Sequence, residues 1–181
     1  STAVTWGQIA DIAVTRGELD EALRIRREVQ LPVFERLGDA RSTAVTWGQI
    51  ADIAVTRGEL DEAVALQEKR LEVNRNLGDV NGIAAASWDL AQIDLQRENY
   101  QSAFERLVES FQLLVQLQRV DGIAIVGNTL GQLLIAAEYH EDARSVLLTS
   151  RAAAEKLGNA DLVEQLTTMI DALPEPETEE Q

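Results

Sequence analysis

The chain has 181 residues, a formal net charge of −15 and no cysteine. The acidic surplus disfavours binding to nucleic acid or to an anionic membrane, because both need a basic protein surface. Without cysteine there is no disulfide, no thiolate metal site and no cysteine nucleophile, and this composition is compatible with a cytoplasmic location. A single histidine leaves little room for a zinc site or a histidine-based triad, so we predict no metal and no other cofactor.

A repeated segment decides the fold class. Residues 1–22 recur without any change at 42–63. Two ladders of small residues continue the repeat along the chain in steps of 41, 40 and 40 residues: Ala10, Ala51, Ala91 and Gly131, then Ala22, Ala63, Ala103 and Ala143. A repeat of this length is typical of stacked helix pairs. We therefore predict four repeats, at 1–40, 41–80, 81–120 and 121–158.

The second helix of the first repeat is unusual. It holds one residue more between Ala22 and Leu37 than its counterpart holds between Ala63 and Leu77, and it contains Pro32. Proline removes a helix hydrogen bond, and an extra residue can be absorbed as a π-bulge. We predict a local irregularity between about residues 26 and 34.

The remaining repeats follow one plan. In the second repeat, apolar residues at helical spacing form a stripe that ends at Gly58, and the acidic run 59–62 begins a second helix that ends at Gly78. We expect the later helices near 82–97, 100–118, 122–137 and 140–157.

Both ends of the array differ from its middle. A ninth helix, apolar on one side and polar on the other, is predicted within 159–173 as a solvating cap, and the acidic segment 174–181 is expected to be disordered. The first helix copies an internal one but has no cap. We expect further repeats to precede it in a longer parent protein, and we predict end-to-end self-association through residues 1–15.

The pattern over residues 1–158 resembles the tetratricopeptide repeat, in the 40-residue variety of kinesin light chain and the Pins-type scaffolds. The resemblance rests on the second-helix alanine ladder and on a large residue followed three and four places later by an apolar and a small one: Trp6–Ile9–Ala10 and Trp47–Ile50–Ala51. Ser87 and Gly127 depart from it, and glycine replaces the family's end-of-repeat proline. The resemblance implies an all-α, right-handed α-solenoid that acts as a noncatalytic protein-binding scaffold.

In that family the first helices line a concave groove. Carried over position by position, the resemblance implies these groove residues: Asp11, Thr15, Gly48, Asp52, Thr56, Trp88, Gln92, Gln96, Asn128 and Gln132. The four-residue spacing of Gly48, Asp52 and Thr56 supports this independently, because it places all three on one helix face.

Trp88 is an exception to the ladder. It follows Trp47 by 41 residues where the flanking ladders step by 40, so it is shifted by one place. We expect Trp6 and Trp47 in the core and Trp88 directed toward the groove, where a tryptophan often anchors an interface. The alternative is that Trp88 fills the space left by Ser87.

Three hypotheses for function remain open. The leading one is a scaffold that binds a peptide segment in the groove, with a neutral or basic segment favoured by the acidic domain. The second is a sensor or regulatory array of a larger signalling or transcription-control protein. The third is a self-assembling module. An enzyme is disfavoured, because the carboxylates have no Ser, Cys or His partner at useful spacing.

Overall fold

The computed structural model describes residues 2–175, and every regular element in that range is helical. The predicted all-α class is confirmed. The helices form two compact units, residues 1–97 and residues 98–181. Most of the acidic segment predicted to be disordered falls on 176–181, which lies outside the described residues.

The N-terminal unit holds five helices joined by short turns. They are α1 (Thr2–Thr15), α2 (residues 19–37), α3 (Ala40–Thr56), α4 (Leu60–Leu77) and α5 (Val80–Gln96). Connections this short make consecutive helices antiparallel neighbours. The core between them includes Ile50 and Ile53 of α3, packed against Ala22 and Leu23 of α2.

The C-terminal unit holds four helices. They are α6 (Tyr100–Gln116), α7 (Val120–Ala136), α8 (His140–Leu157) and α9 (Ala160–Asp171). Helix α9 buries Leu166 and Ile170 and exposes Asp161, Glu164 and Asp171 to water. It therefore has one apolar and one polar side, as the sequence predicts for this segment.

The small-residue ladders lie at the closest helix contacts. Ala51, Ala63, Ala103 and Ala143 are all 0 % exposed. A Cβ added to Gly131 would lie 2.4 Å from Cδ2 of Leu147, so even a methyl group does not fit there. These positions are small because two helices meet without a side chain between them.

The predicted irregularity of α2 is confirmed. The helix runs as Leu19–Arg24, then a π-helical segment Ile25–Gln30, then Leu31–Leu37. The wider π turn absorbs the extra residue without breaking the helix. Pro32 lies in the first turn of the segment after it, where its missing N–H and fixed φ are tolerated.

Two equivalent helix ends use different residues in the left-handed conformation. Gly78 follows the last residue of α4 and has a φ of 63°, whereas Gln118, two residues after the last residue of α6, has a φ of 55°. In both cases the next N–H reaches back to a carbonyl in the last turn, Asn74 after Gly78 and Leu114 after Gln118. A side chain is strained at this φ, while glycine is not.

This difference predicts opposite effects for two exchanges. Gln118→Gly raises the free energy of unfolding by about 1 kcal/mol because it relieves the left-handed strain, and Gly78→Gln lowers it by a similar amount. Urea denaturation of the whole chain measures both. Equal signs for the two variants would contradict the assignment of strain to Gln118.

Candidate ligand-binding groove

Four of the ten predicted groove residues meet in one cavity of the N-terminal unit. The cavity has a volume of about 570 Å³ and opens between α1 and α3. Asp11 and Thr15 come from α1, and the identical pair Asp52 and Thr56 comes from α3. Each threonine hydroxyl donates to the aspartate carbonyl one turn earlier in its own helix, at 2.9 Å.

A buried arginine lines the same cavity. Arg26, in the π-helical segment of α2, is only 2 % exposed. Its Nη2 donates to Oδ1 of Asp11 at 2.5 Å, and its Nη1 donates to Oε1 of Gln49 at 2.5 Å and to Oε1 of Gln30 at 3.2 Å. A buried guanidinium needs such partners because the loss of hydration is costly. Its Nε is buried and has no partner among the described residues.

A second polar network lies between α4 and α5. Nη1 of Arg70 donates to Oδ2 of Asp89 at 2.7 Å and to Oε1 of Gln67 at 3.1 Å. Nε2 of Gln67 also donates to Oδ2 of Asp89, at 3.3 Å. Burial raises the pKa of Asp89, and the charge of Arg70 opposes that shift.

Gly48 leaves room for Arg70. A Cβ built on Gly48 would lie 2.8 Å from Nη1 of Arg70, and one on the equivalent Gly7 would lie 2.5 Å from Nε2 of Gln30. The sequence suggests space above these glycines for a ligand side chain. In the structure, long polar side chains from the second helix of each pair fill that space.

The two equivalent aspartates have different partners. The residue 15 places after Asp11 is Arg26, which binds it, whereas the residue 15 places after Asp52 is Gln67, which binds Asp89 instead. The carboxylate of Asp52 accepts no hydrogen bond from any residue in the described part of the chain. Burial and then the charge of Asp89 raise the pKa of Asp52 to about 6, with Arg70 and Arg26 acting against the shift.

Helix α5 carries three further predicted residues. Trp88 and Gln92 are half-buried and Gln96 is exposed. Ser87, next to Trp88, is fully buried. The Trp88 side chain is thus partly covered and partly accessible. Trp6 and Trp47 were expected in the core, but in the structure they are only half-buried. Nε2 of Gln92 is buried and finds no hydrogen-bond partner among the described residues.

The last two predicted residues lie on α7 in the C-terminal unit. Nε2 of Gln132 donates to Oδ1 of Asn128 at 3.1 Å. This pairing orients both amides and leaves the Asn128 NH2 group and the Gln132 carbonyl oxygen to bind elsewhere.

Sequence reasoning missed two features. The buried Arg26 and the partly buried Arg70 were not predicted, although Arg26 follows Ala22 by four residues and so lies on the packed face of its helix. An apolar cavity of about 730 Å³ in the C-terminal unit was also missed; it is lined in part by Tyr100, Phe104 and Tyr139. Both tyrosines are more than half exposed, and sequence alone gives no sign that their rings share a cavity.

Residues 42–114 match the family model of the tetratricopeptide repeat. This segment of the chain is identified as tetratricopeptide repeats. No curated protein sequence matches it.

Solved structures share its fold at low sequence identity. A Podosopora anserina putative kinesin light chain with nearly identical TPR-like repeats aligns with a TM-score of 0.63 at 14 % identity, over 93 % of this chain and 92 % of that one. The apo form of RapI aligns with a TM-score of 0.79 at 12 % identity, over 96 % and 63 % of the two chains. The predicted α-solenoid fold is confirmed.

A third similar structure comes from a much larger protein. It is a signal transduction ATPase with numerous domains from Pyrococcus horikoshii that has a tetratricopeptide repeat sensor, with a TM-score of 0.77 at 16 % identity. The alignment covers 93 % of this chain but 25 % of that one. Repeats of this family generally serve as noncatalytic modules for protein interaction or sensing. None of the helices described here is long and apolar enough to cross a membrane.

The unequal partners of the two aspartates predict unequal effects of one substitution. The raised pKa of Asp52 means that ionisation destabilises the fold, so the wild type loses stability as the pH rises from about 4 to about 6. Asp52→Asn removes this penalty and raises the free energy of unfolding at pH 7.5 by about 0.5–1 kcal/mol, a value reduced for solvent screening. The gain disappears at pH 4, where the carboxyl is protonated.

Asp11→Asn is the matched control, since it makes the same change in an identical segment. It lowers stability at pH 7.5 because Arg26 loses its charged partner. Thermal unfolding at the two pH values measures both variants. A gain for both, or for neither, would contradict the structural difference between the two aspartates.

Proposed function

We propose that the chain is a noncatalytic interaction module that binds a peptide segment of another protein along its first helices. The observation that carries this proposal is Nε2 of Gln92 on α5, which is buried without a described partner. A buried polar group without a partner costs free energy, and a carbonyl oxygen of a peptide backbone can satisfy this amide. The exposed Asp52 carboxylate of α3, which accepts no hydrogen bond from the described residues, can accept one from a peptide N–H.

We propose contacts within each unit taken by itself. In the N-terminal unit they are made by residues around Gly48, Asp52, Trp88 and Gln92, and in the C-terminal unit by Asn128 and Gln132. A neutral or basic segment is favoured because the chain is acidic and its field steers cations toward it. The cytoplasmic location predicted from composition belongs to the same proposal.

A sensor role in a larger protein is the alternative. The observation that favours it is the 570 Å³ cavity with mixed polar and apolar walls, which is large enough for a small effector. The archaeal ATPase with its repeat sensor shares the fold of this chain. A small molecule filling the cavity, rather than an extended peptide along the helices, would distinguish this role.

The proposed groove predicts a large effect of one tryptophan. Peptides are selected from a random phage-displayed library on the whole chain, and their affinities are measured by fluorescence titration. Trp88→Ala weakens binding about 30-fold, the equivalent of ~2 kcal/mol for an interface hot spot, and Asn128→Ala weakens it less.

Gln112→Ala serves as the control, because Gln112 is exposed on α6 and lies outside the proposed contacts. Selected peptides that bind all four proteins equally would argue against the groove.

A specific observation also favours self-association through residues 1–15. Ile9 and Ile12 are 40 % and 53 % exposed, whereas their copies Ile50 and Ile53 are 1 % and 3 % exposed. The copies are covered by α1 and α2. An apolar face that is buried in one setting and open in an identical sequence is a surface ready to associate.

The arginines at the ends of the first helices show the same difference between the first repeat and the later ones. Nη1 of Arg57 pairs with Asp20 at 2.7 Å, and the equivalent Arg97 pairs through Nη2 with Asp61 at 2.6 Å. Arg16, the copy of Arg57, has no ion-pair partner among residues 2–175. The outer side of α9 is polar, so it offers no apolar surface to α1 of another copy. We therefore propose that association pairs α1 with α1 of a second copy, in a symmetric contact.

The exposed isoleucines predict a change in oligomeric state. The double variant Ile9→Ser and Ile12→Ser removes two large apolar side chains from the contact, and each such side chain contributes ~1.5–3 kcal/mol when buried. We expect a concentration-dependent dimer for the wild type and a monomer for the variant in sedimentation equilibrium. A wild-type monomer at high concentration would exclude this contact.

A further inference from the structure

We propose that the cavity between α1 and α3 binds a neutral amide group of the ligand, whose carbonyl oxygen accepts a hydrogen bond from Nε of Arg26. This inference rests on the proposed peptide-binding function and adds the chemistry of one contact. All the residues of the argument lie in the N-terminal unit.

Arg26 is a buried cation with one unused donor. Its side chain is 2 % exposed, and its Nε–H has no hydrogen-bond partner among the described residues. The other end of the guanidinium is occupied, because Nη1 donates to Gln49 and Gln30 and Nη2 donates to Asp11. A buried N–H that has lost water without gaining an acceptor costs free energy. The group that is missing at this point is therefore an acceptor.

The guanidinium lies at the wall of the cavity. Arg26 lines it together with Gln49, the partner of Nη1, and Asp11, the partner of Nη2. The volume of about 570 Å³ is many times what a single water requires. A ligand group thus has room to enter beside Arg26.

The equivalent position of the second repeat has no such donor. Gln67 follows Ala63 as Arg26 follows Ala22, and it is 1 % exposed. Its Nε2 donates to Asp89 at 3.3 Å, and its Oε1 accepts from Arg70 at 3.1 Å. The unused buried donor is therefore particular to the helix pair that carries Arg26 and is not a general consequence of the repeat.

The charges around the cavity favour a neutral acceptor. Its lining residues include two carboxylates, Asp11 and Asp52, and one guanidinium. The positive charge of Arg26 is already paired with Asp11, at 2.5 Å. A carboxylate or phosphate group would bring further negative charge beside Asp52, whereas a carbonyl oxygen accepts the hydrogen bond without adding charge.

An amide suits the remaining wall better than a ketone or ester does. It carries an acceptor and a donor in one planar group, and its N–H can donate to the exposed carboxylate of Asp52. Val14, Leu19 and Ile53 supply apolar surface for the methylene groups that precede a side-chain amide. A glutamine or asparagine side chain and a backbone amide share this chemistry, and the experiment distinguishes the two sources.

The experiment uses the whole chain with three small probes. Glutamine, glutamate and norleucine, each capped by acetyl and methylamide groups, are titrated while nitrogen-15 NMR observes the Nε–H of Arg26. All three probes have backbone amides, but only glutamine adds a neutral side-chain amide. We expect capped glutamine to move the Nε–H proton downfield and to bind about tenfold more tightly than capped norleucine, with capped glutamate weaker than glutamine.

The other outcomes are distinct. Equal downfield shifts with glutamine and norleucine support the amide contact and assign it to the backbone. Glutamate that binds as tightly as glutamine overturns the proposal, because the site then accepts an anion. An Nε–H resonance that no probe moves also overturns it, since the cavity then holds only water beside Arg26.

Two variants complete the test. Val14→Trp fills the cavity and abolishes the shift, while Ala65→Trp adds the same ring at an exposed position of α4 outside the cavity and leaves the shift unchanged. Arg26→Lys keeps a positive charge for Asp11 but removes the Nε–H, so glutamine loses its advantage over norleucine. If the lysine variant does not fold, the tryptophan variants decide: a shift that survives in Val14→Trp overturns the proposal.

Peptides from the phage selection separate this inference from the function beneath it. If they bind wild type and Val14→Trp equally but lose affinity in Trp88→Ala, the groove stands and the amide site is wrong. If no peptide binds the chain but capped glutamine moves the Nε–H resonance of Arg26, the amide site stands and the peptide function is wrong.

Discussion

Close helix contact at small residues is the constraint on which the rest of the structure depends. Ala22 and Ala63 are fully buried because another helix lies directly against them. The residue four places later lies on the same helix face and is forced into the interior as well. At those positions the chain has Arg26 and Gln67, so the packing rule that fixes the fold also buries polar groups that must find partners.

The two identical segments show how far environment outweighs local sequence. Ile9 is exposed and Ile50 buried, although 22 residues around each are the same. Asp11 is paired and Asp52 is not for a related reason, because the residue 15 places later is Arg26 in the first case and Gln67 in the second. The π-helical segment adds to the difference, since it occurs in the helix that carries Arg26.

Features that depend on spacing could be predicted from the sequence. The ladder of small residues predicted the buried helix contacts, and one surplus residue before Leu37 predicted the π turn. The family resemblance implied that Asp11, Thr15, Asp52 and Thr56 lie on the inner faces of the first helices, and these four residues line one cavity. The reach of long side chains could not be predicted, because whether Arg70 covers Gly48 depends on the distance between two helices. The apolar cavity beside Tyr100 was missed for the same reason.

The cost of burying charge explains why the repeats differ in this way. An arginine at the position of Arg26 must lose its hydration, and only the combination of Asp11, Gln49 and Gln30 offsets that loss. Gln67 avoids the cost at the equivalent position, because a neutral amide is easier to bury. Its neutrality leaves Asp52 without a cation, while burial and then the charge of Asp89 raise the pKa of this carboxyl. The first pair of helices thus satisfies its aspartate internally, whereas the aspartate of the second pair stays exposed to solvent.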